Sequence, residues 1–247
     1  MGSVLIDNWN LNAAQSGVQV IVDKVERSVA VMEEAMQNRS TNDGAVLEGA
    51  YYRNPDIEIG FWIIGGTPET RRDFLRGVVV PKTSDKTGHK LQFHDDGVKY
   101  YQAIRTGGIK TAENIDSMYV SMSFRSLHPW MFGETHTVQI GTSSTRLTVG
   151  GNVITPISGS GTLVSSVNTS CGIRSIWSSN ISSLSWKATS GTEYSFQFDS
   201  EARTCNQNQL ISSAWLYAVP NSVRPTSANL VNASSGSATI TYTDRWL

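Results

Sequence analysis

Two histidines and two carboxylates near residue 90 could supply ligands to a metal ion. His89 and His94 are five residues apart, and Asp95 and Asp96 follow directly. Imidazole and carboxylate groups bind divalent cations when three or four of them converge. Residues five apart on a strand point to opposite faces of a sheet, so these histidines are not expected to converge. The sequence therefore favours a polar hairpin tip and predicts no metal and no cofactor.

A carboxylate pair in the second half suggests acid–base chemistry. Asp199 and Glu201 are two residues apart near the predicted end of a strand, so they could share one face. Such a pair could hydrolyse a glycoside if its spacing suited the reaction. Arg203 follows closely, and an exposed ion pair with one carboxylate is the simpler interpretation.

Nucleophile motifs do not accompany the many serines. Gly159-Ser160-Gly161 is too short for a nucleophile elbow and predicts a turn. Neither Cys171 nor Cys205 has an evident histidine partner in the sequence. Without a visible secretion signal, both cysteines are expected to be reduced and semi-buried, although one bridge remains open if two strands bring them together. The sequence predicts no catalytic residues and therefore no enzyme.

Four aromatic residues in the second half admit two interpretations, namely Trp177, Trp186, Trp215 and Tyr217. An aromatic face can stack on the apolar face of a sugar ring. Aromatic side chains are also routinely buried in the core of a β-sandwich. Core packing is the favoured interpretation, and no carbohydrate site is assigned.

Composition excludes several classes of protein. The chain has 247 residues, 17% of them charged, and a net charge of −1. These values argue against disorder and against a nucleic-acid-binding arm. We expect no membrane span, because no run approaches 18 apolar residues, and no signal peptide is visible.

The first half reads as strands with one helix. An Asp95-Asp96-Gly97 turn lies between the apolar residues 91–93 and a strand that begins with Tyr100-Tyr101, which predicts a hairpin. Residues 57–64 predict a strand that becomes buried on both faces. Residues 67–69, Thr-Pro-Glu, predict a helix start, with an apolar face from Phe74, Leu75 and Val78 and an end at Pro81. Residues 119–124 alternate like a further strand.

One segment supports conflicting predictions. Its apolar residues repeat at helical spacing, namely Val22, Val25, Val29, Met32 and Met36. The same segment is rich in β-branched residues, which favour strands. Periodicity alone therefore favours a helix, although the β-branched residues leave a strand open.

The second half predicts many short strands joined by turns. Only 11 of the 41 charged residues follow Ser126, and Ser, Thr, Gly and Val dominate there. His128-Pro129 at this change suits a domain joint. Strands are predicted at 138–140, 145–149, 173–177, 194–198, 214–219 and 237–242, the pattern of a sandwich or barrel.

Taken in order, these motifs resemble the distal tail protein family of long-tailed, non-contractile phages that infect Gram-positive bacteria. The resemblance covers nearly the whole chain through individually weak motifs. They are the 57–64 strand with its Thr67-Pro68 helix, the 91–101 hairpin, the 124–129 junction, the 157–161 and 199–201 turns, the segment 220–230 and the closing strand 240–247.

The resemblance implies a mainly β fold in two domains. Residues 1–125 would form a β-rich belt domain with one α-helix, and residues 126–247 a galectin-like β-sandwich. The terminal strand, 237–247, could pack on either domain. The resemblance also implies that the segment from Val22 to Met36 is extended, and we adopt that prediction.

The family also implies a function. Its members form a hexameric ring, the hub at the distal end of the tail, which joins the tail tube to the tip or baseplate and leaves a channel for DNA in transit. The expected partners are other copies of the chain, the tail tube protein, the tail tip or tail-associated protein, and baseplate or receptor-binding proteins. The protein would be assembled in the host cytoplasm and located in the virion. The alternatives are a carbohydrate-binding module directed at the host cell wall and, more distantly, a wall hydrolase using Asp199 and Glu201.

Overall fold

The computed structural model describes residues 2–13, 17–38, 45–164, 170–177, 180–187, 191, 193–206, 210–213, 215–220, 222–223 and 229–247. The chain divides into two compact units, Met1–Met131 and Phe132–Leu247. Strands dominate both units, which confirms the prediction of a mainly β fold with one helical segment.

The first unit is an antiparallel sheet in the order β3-β6-β9-β8-β7-β1-β2, with β4 and β5 paired separately. Its strands are β1 (Val4–Ile6), β2 (Trp9–Asn10), β3 (Gln19–Arg27), β4 (Met32–Asn38), β5 (Ala45–Tyr52), β6 (Asp56–Ile64), β7 (His89–Phe93), β8 (Tyr100–Glu113) and β9 (Ser117–Ser126). One apolar core, to which β1, β3, β6, β7, β8 and β9 all contribute, holds this sheet together.

Strand β6 corrects the expectation of burial on both faces. Ile59, Phe61 and Ile63 point into the core and are fully buried. Trp62 and Ile64, on the other face, are only half-buried. The continuous apolar run in the sequence combines a core face with a second face that keeps part of its surface in solvent.

The predicted helix forms where its start signals lie. It comprises α1 (Pro68–Phe74), a π-helical turn (Leu75–Val79) and α2 (Val80–Lys82). The Thr67 hydroxyl accepts a hydrogen bond from the Thr70 backbone N–H, which satisfies one of the otherwise unpaired N–H groups of the first turn. Phe74 is buried, and the helix ends one residue beyond Pro81.

The hairpin of β7 and β8 also forms as predicted, with Leu91 opposite Tyr101. The turn is longer than two residues, because His94, Asp95 and Asp96 form one turn of 3-10 helix. Gly97 follows with φ 63° and ψ −118°, a conformation that residues with a Cβ atom avoid.

The helical prediction for the segment containing Val22 and Met36 is wrong, and the extended prediction is confirmed. Residues 19–27 form β3 and residues 32–38 form β4. A bulge lies between Val22 and Lys24, where β3 has one more residue than β6. The extra residue reverses the alternation, so Val22 and Val25 both pack on the core although they are three apart. The bulge therefore accounts for the three-residue spacing of Val22 and Val25, whereas Val29 and Met32 are exposed and do not share this core.

The second unit is a β-sandwich. One sheet has the order β10-β21-β13-β16-β17, the other β11-β20-β14-β15-β18, and β12 pairs with β19. The strands are β10 (Met131–Ile140), β11 (Thr145–Leu147), β12 (Thr155–Pro156), β13 (Ser158–Val164), β14 (Ser170–Trp177), β15 (Asn180–Lys187), β16 (Glu193–Asp199), β17 (Thr204–Cys205), β18 (Leu210–Ser213), β19 (Tyr217–Ala218), β20 (Asn229–Ala233) and β21 (Ser237–Trp246). Both sheets contribute to one apolar core.

Two local predictions in this unit need correction. Gly159-Ser160-Gly161 is part of β13 and not a turn. A Cβ atom at Gly161 would lie 2.4 Å from the Ser237 carbonyl oxygen, so the glycine permits β13 and β21 to approach closely. The strand expected at 214–219 is reduced to the two residues of β19, and residue 214 lies outside the described residues. The closing strand, β21, pairs with β13 inside the second unit.

Candidate assembly surfaces

The residues predicted as possible metal ligands have separate partners. His89 is buried on β7, with its Nδ1 atom 2.6 Å from Asp7 Oδ2. His94 lies in the 3-10 turn, where its backbone N–H donates to the Ser3 carbonyl. Across the part of the chain that the structure describes, no three His, Cys, Asp or Glu side chains are grouped so that they could hold a metal ion.

Arg27 organises this hairpin tip, although no pattern in the sequence pointed to it. Its guanidinium forms ion pairs with both Asp95 and Asp96 and lies 4.9 Å from the centre of the Phe93 ring. Burial raises the pKa of the Asp96 carboxyl, and this effect outweighs the opposing attraction of Arg27. The arrangement ties the end of β3 to the β7–β8 turn.

The carboxylates at 199 and 201 have structural partners. Asp199 Oδ1 accepts backbone hydrogen bonds from Glu201 (2.8 Å) and Ala202 (3.2 Å), which closes the turn after β16. Glu201 Oε1 accepts from Arg245 Nη2 at 2.7 Å. The expected pairing with Arg203 is therefore wrong, because the cation comes from the closing strand.

The aromatic residues of the second unit divide by burial. Trp186 is 2% exposed, with its ring centre 5.0 Å from that of Phe196, so it is a core residue. Trp215 is half-buried against the same core, and Tyr217 is also half-buried. The side chain of Trp177 lies outside the described residues. Trp186 therefore cannot stack on a sugar in this fold.

The two cysteines are both free thiols. Cys171 is buried on β14, and burial raises the pKa of its thiol. Cys205 is half-buried on β17, in the other sheet of the sandwich. This placement agrees with the expectation of two reduced, semi-buried side chains and does not favour a disulfide bridge.

The β4–β5 hairpin, together with residues 29–31 that lead into it, is called the arm below. It exposes several large apolar side chains, namely Val29 (78% exposed), Val31 (58%), Met32 (55%), Tyr51 (56%) and Tyr52 (43%). Among the described strands, β4 and β5 pair only with each other. Each therefore has a free edge of backbone N–H and C=O groups, the usual template for pairing with another strand.

Polar contacts join the two strands of the arm at its base. The Tyr51 hydroxyl donates to Glu33 Oε2 at 2.9 Å, and this hydrogen bond raises the pKa of the tyrosine. Arg53 Nη1 lies 3.5 Å from Glu33 Oε1, and the Arg53 backbone N–H donates to the Val31 carbonyl. Aromatic and methionine side chains are enriched in the cores of protein interfaces. The arm is therefore the first candidate assembly surface.

A buried arginine supports a second exposed element. Arg71 is fully buried and donates to four backbone carbonyls, two at the end of β6 and two at the β8–β9 turn: Gly65, Gly66, Asn114 and Ile115. The Ile115 side chain at this turn is 88% exposed. Hydrogen bonds from the buried Arg71 thus hold the turn in place, while the turn exposes an apolar side chain to solvent.

No helix among the described residues is both long enough and apolar enough to cross a membrane. No protein-family model matches the chain, and no curated protein matches it significantly.

Solved structures do match the chain, and one of them shows the class of fold to which it corresponds. The chain has the fold of a hub protein from the adsorption apparatus of phages that infect Gram-positive bacteria. The particular structure is that of SPP1 Dit (gp 19.1), with a TM-score of 0.71, 17% identity and 100% coverage of both chains. The resemblance to the distal tail protein family is therefore confirmed at the level of the fold.

Two further structures are similar over nearly their whole length. The phage P2 baseplate in its activated conformation with calcium gives 10% identity and a TM-score of 0.47, with 99% of this chain and 98% of that chain covered. The phage p2 baseplate in its activated conformation with strontium gives 12% identity and a TM-score of 0.45, with 98% of each chain covered.

Proposed function

We propose that this protein is a structural component of a phage tail that forms a hexameric ring at the distal end of the tail. The ring joins the tail tube to the tail tip or baseplate and leaves a channel for DNA. The observation that carries the proposal is the match to SPP1 Dit, described as a paradigm of the hub adsorption apparatus, over the full length of both chains.

The arm supports self-assembly. A ring needs a heterologous interface, in which one surface of a subunit binds a different surface of the next. Met32, Tyr51 and Tyr52 supply apolar contact area that is exposed in the single chain. The free edges of β4 and β5 supply backbone groups that can pair with a neighbouring subunit. The first unit thus acts as the ring-forming belt domain.

The remaining assignments follow from the same role. The second unit is a galectin-like sandwich on the outside of the ring and contributes to host attachment. The partners are other copies of the chain, the tail tube protein and the tail tip, baseplate or receptor-binding proteins. The protein is assembled in the host cytoplasm, resides in the virion and is not an enzyme.

The mass and shape of the purified chain test the proposal. Light scattering on a sizing column gives the mass, and negative-stain images of the same peak give the symmetry. A six-fold ring with an open centre is the expected result. A monomer across the accessible concentration range, or a closed particle of another symmetry, contradicts a hexameric ring.

A further inference from the structure

Charges are distributed unequally between the two sheets of the sandwich. The strands β11, β14, β15, β18 and β20 contain three charged residues as the structure describes them, Arg146, Arg174 and Lys187, all cations. The acidic residues of the second unit lie in or next to the strands of the other sheet, namely Glu134, Glu193, Asp199, Glu201 and Asp244. The five-stranded sheet is therefore purely cationic, although the whole chain has a net charge of −1.

Strand register places polar side chains together on the solvent face of this sheet. The alternate residues Cys171, Ile173 and Ser175 of β14 are buried, so Arg174 points away from the core and is exposed. Arg174 lies opposite Ser183 on β15 and opposite Asn232 on β20. Gly172 lies opposite Ser185 and donates its backbone N–H to the Ser234 hydroxyl at 2.9 Å.

Residues of β14, β15 and β20 and the neighbouring Ser234 line a groove of about 230 Å³. Its polar lining residues are Arg174, Ser183, Ser185, Asn232 and Ser234. Arg174 forms no ion pair with any residue that the structure describes. A planar guanidinium beside several hydroxyl donors suits a phosphate group, whose oxygens accept several hydrogen bonds at once.

A second cation extends this face. Arg146 on β11 is exposed and lies opposite Leu230, which lies opposite Ile176 on β14. Neighbouring strands are about 4.8 Å apart, so β11 lies roughly 10 Å from β14. Arg146 and Arg174 are thus placed to contact separate phosphates of one extended chain. The apolar row between them, which continues to the 60% exposed Ile181, suits the carbon backbone of that chain.

We propose that this face binds a polyol phosphate polymer, a hydroxyl-rich chain joined by phosphodiesters. Arg174 binds one phosphodiester in the groove, the serine and asparagine side chains bind adjacent oxygens and hydroxyls, and Arg146 binds a second phosphodiester. No stacking aromatic lines the described part of the groove, which favours a polyol phosphate over a nucleic acid. The inference depends only on the second unit and holds whether or not the chain forms a ring.

Titration calorimetry of the purified chain with poly(glycerol phosphate) tests the inference. At about 50 mM salt, where charge contacts are weakly screened, we expect measurable binding that weakens as salt rises. Arg174→Gln should lower the affinity about tenfold, as loss of one charge-assisted contact implies, and Arg146→Gln should lower it less. Arg203→Gln is the matched control, because Arg203 is exposed in the same unit but follows a strand of the other sheet.

Several outcomes overturn the inference. Absence of binding at low salt does so directly. An equal loss of affinity in Arg203→Gln and Arg174→Gln indicates general charge attraction and not specific binding in the groove. Equal affinity for duplex DNA, or for a carboxylate polymer such as polygalacturonate, shows that the face does not select a polyol phosphate. Thermal melting of each variant verifies that lost binding is not lost folding.

Discussion

Arg27 on β3 and Asp96 in the β7–β8 turn form an ion pair between residues 69 positions apart in the sequence. The two side chains retain 24% and 15% exposure, so the pair is largely shielded from water. Asp95, which is 66% exposed, shares the same guanidinium. The pair joins the bulged strand to the hairpin and fixes the end of the first-unit sheet.

The Asp96 carboxyl should make stability depend on pH. Burial raises its pKa above the ordinary value of 3.8, so the folded protein holds this proton more tightly than the unfolded chain does. Its stabilising contribution is therefore full below pH 3.8 and is lost as pH rises through the folded pKa. Urea unfolding of the natural protein and of Asp96→Asn should be measured at several pH values from 3.5 to 7. As the pH rises, the free energy of unfolding of the natural protein should fall relative to that of the variant.

Asp95→Asn is the control for this experiment. Asp95 contacts the same arginine from an exposed position, so its replacement should change stability by less than about 1 kcal/mol throughout. A constant difference between Asp96→Asn and the natural protein, or one that changes in the opposite direction, contradicts the prediction.

Gly97→Ala should destabilise the protein by about 1 kcal/mol or more, because an alanine is strained at φ 63° and ψ −118°. The space beside Gly97 is open, so the cost is conformational and not a clash. Gly77→Ala is the matched control. Gly77 is also open but lies in the helical segment with ordinary φ, where alanine should be neutral or stabilising. Equal melting temperatures for the two variants would count against the turn conformation.

Arg71→Met should cost about 3 kcal/mol in the free energy of unfolding, because it leaves four backbone carbonyls without their charged donor. Its neighbour Arg72 provides the comparison. The Arg72 side chain is 55% exposed and pairs with Glu113, so Arg72→Met should cost less than about 1 kcal/mol. Denaturant unfolding measures the free energy of unfolding of both variants. A loss in Arg71→Met as small as that in Arg72→Met would show that the buried contacts contribute little.

Met32→Glu in the arm should weaken self-association at least about tenfold, because a buried interface excludes an unpaired charge. Met32 is 55% exposed in the single chain, so the melting temperature of the monomer should stay within about 2 °C. Val98→Glu adds the same charge at a 71% exposed position in the β7–β8 turn and serves as control. Sedimentation velocity measures association, and an intact assembly in Met32→Glu excludes the arm from the interface.

Local signals in the sequence predicted several elements correctly. The helix start at Thr67 and Pro68, the hairpin around Gly97 and the strand now called β6 depend on capping, turn chemistry and apolar runs. These are properties of a few neighbouring residues. The order of such elements was sufficient to suggest the distal tail family, and the fold of SPP1 Dit agrees with it.

Other features required the tertiary structure. In the sequence, Gly159 and Gly161 indicated a turn, because glycine permits one. In the structure they lie within β13, where neighbouring strands approach so closely that glycine is required. Arg245 and not Arg203 pairs with Glu201, because β21 returns to the same sheet from the end of the chain.

Residue types and short spacings were sufficient to predict the β-rich class and the turn and helix signals, and they contained no recognisable catalytic motif. The folded chain shows which distant charges meet, as Arg27 meets Asp96, and which sheet carries only cations. It also shows where apolar residues stay exposed, as on the arm. Strand pairing over tens of residues sets these relationships, and no local pattern encodes that pairing.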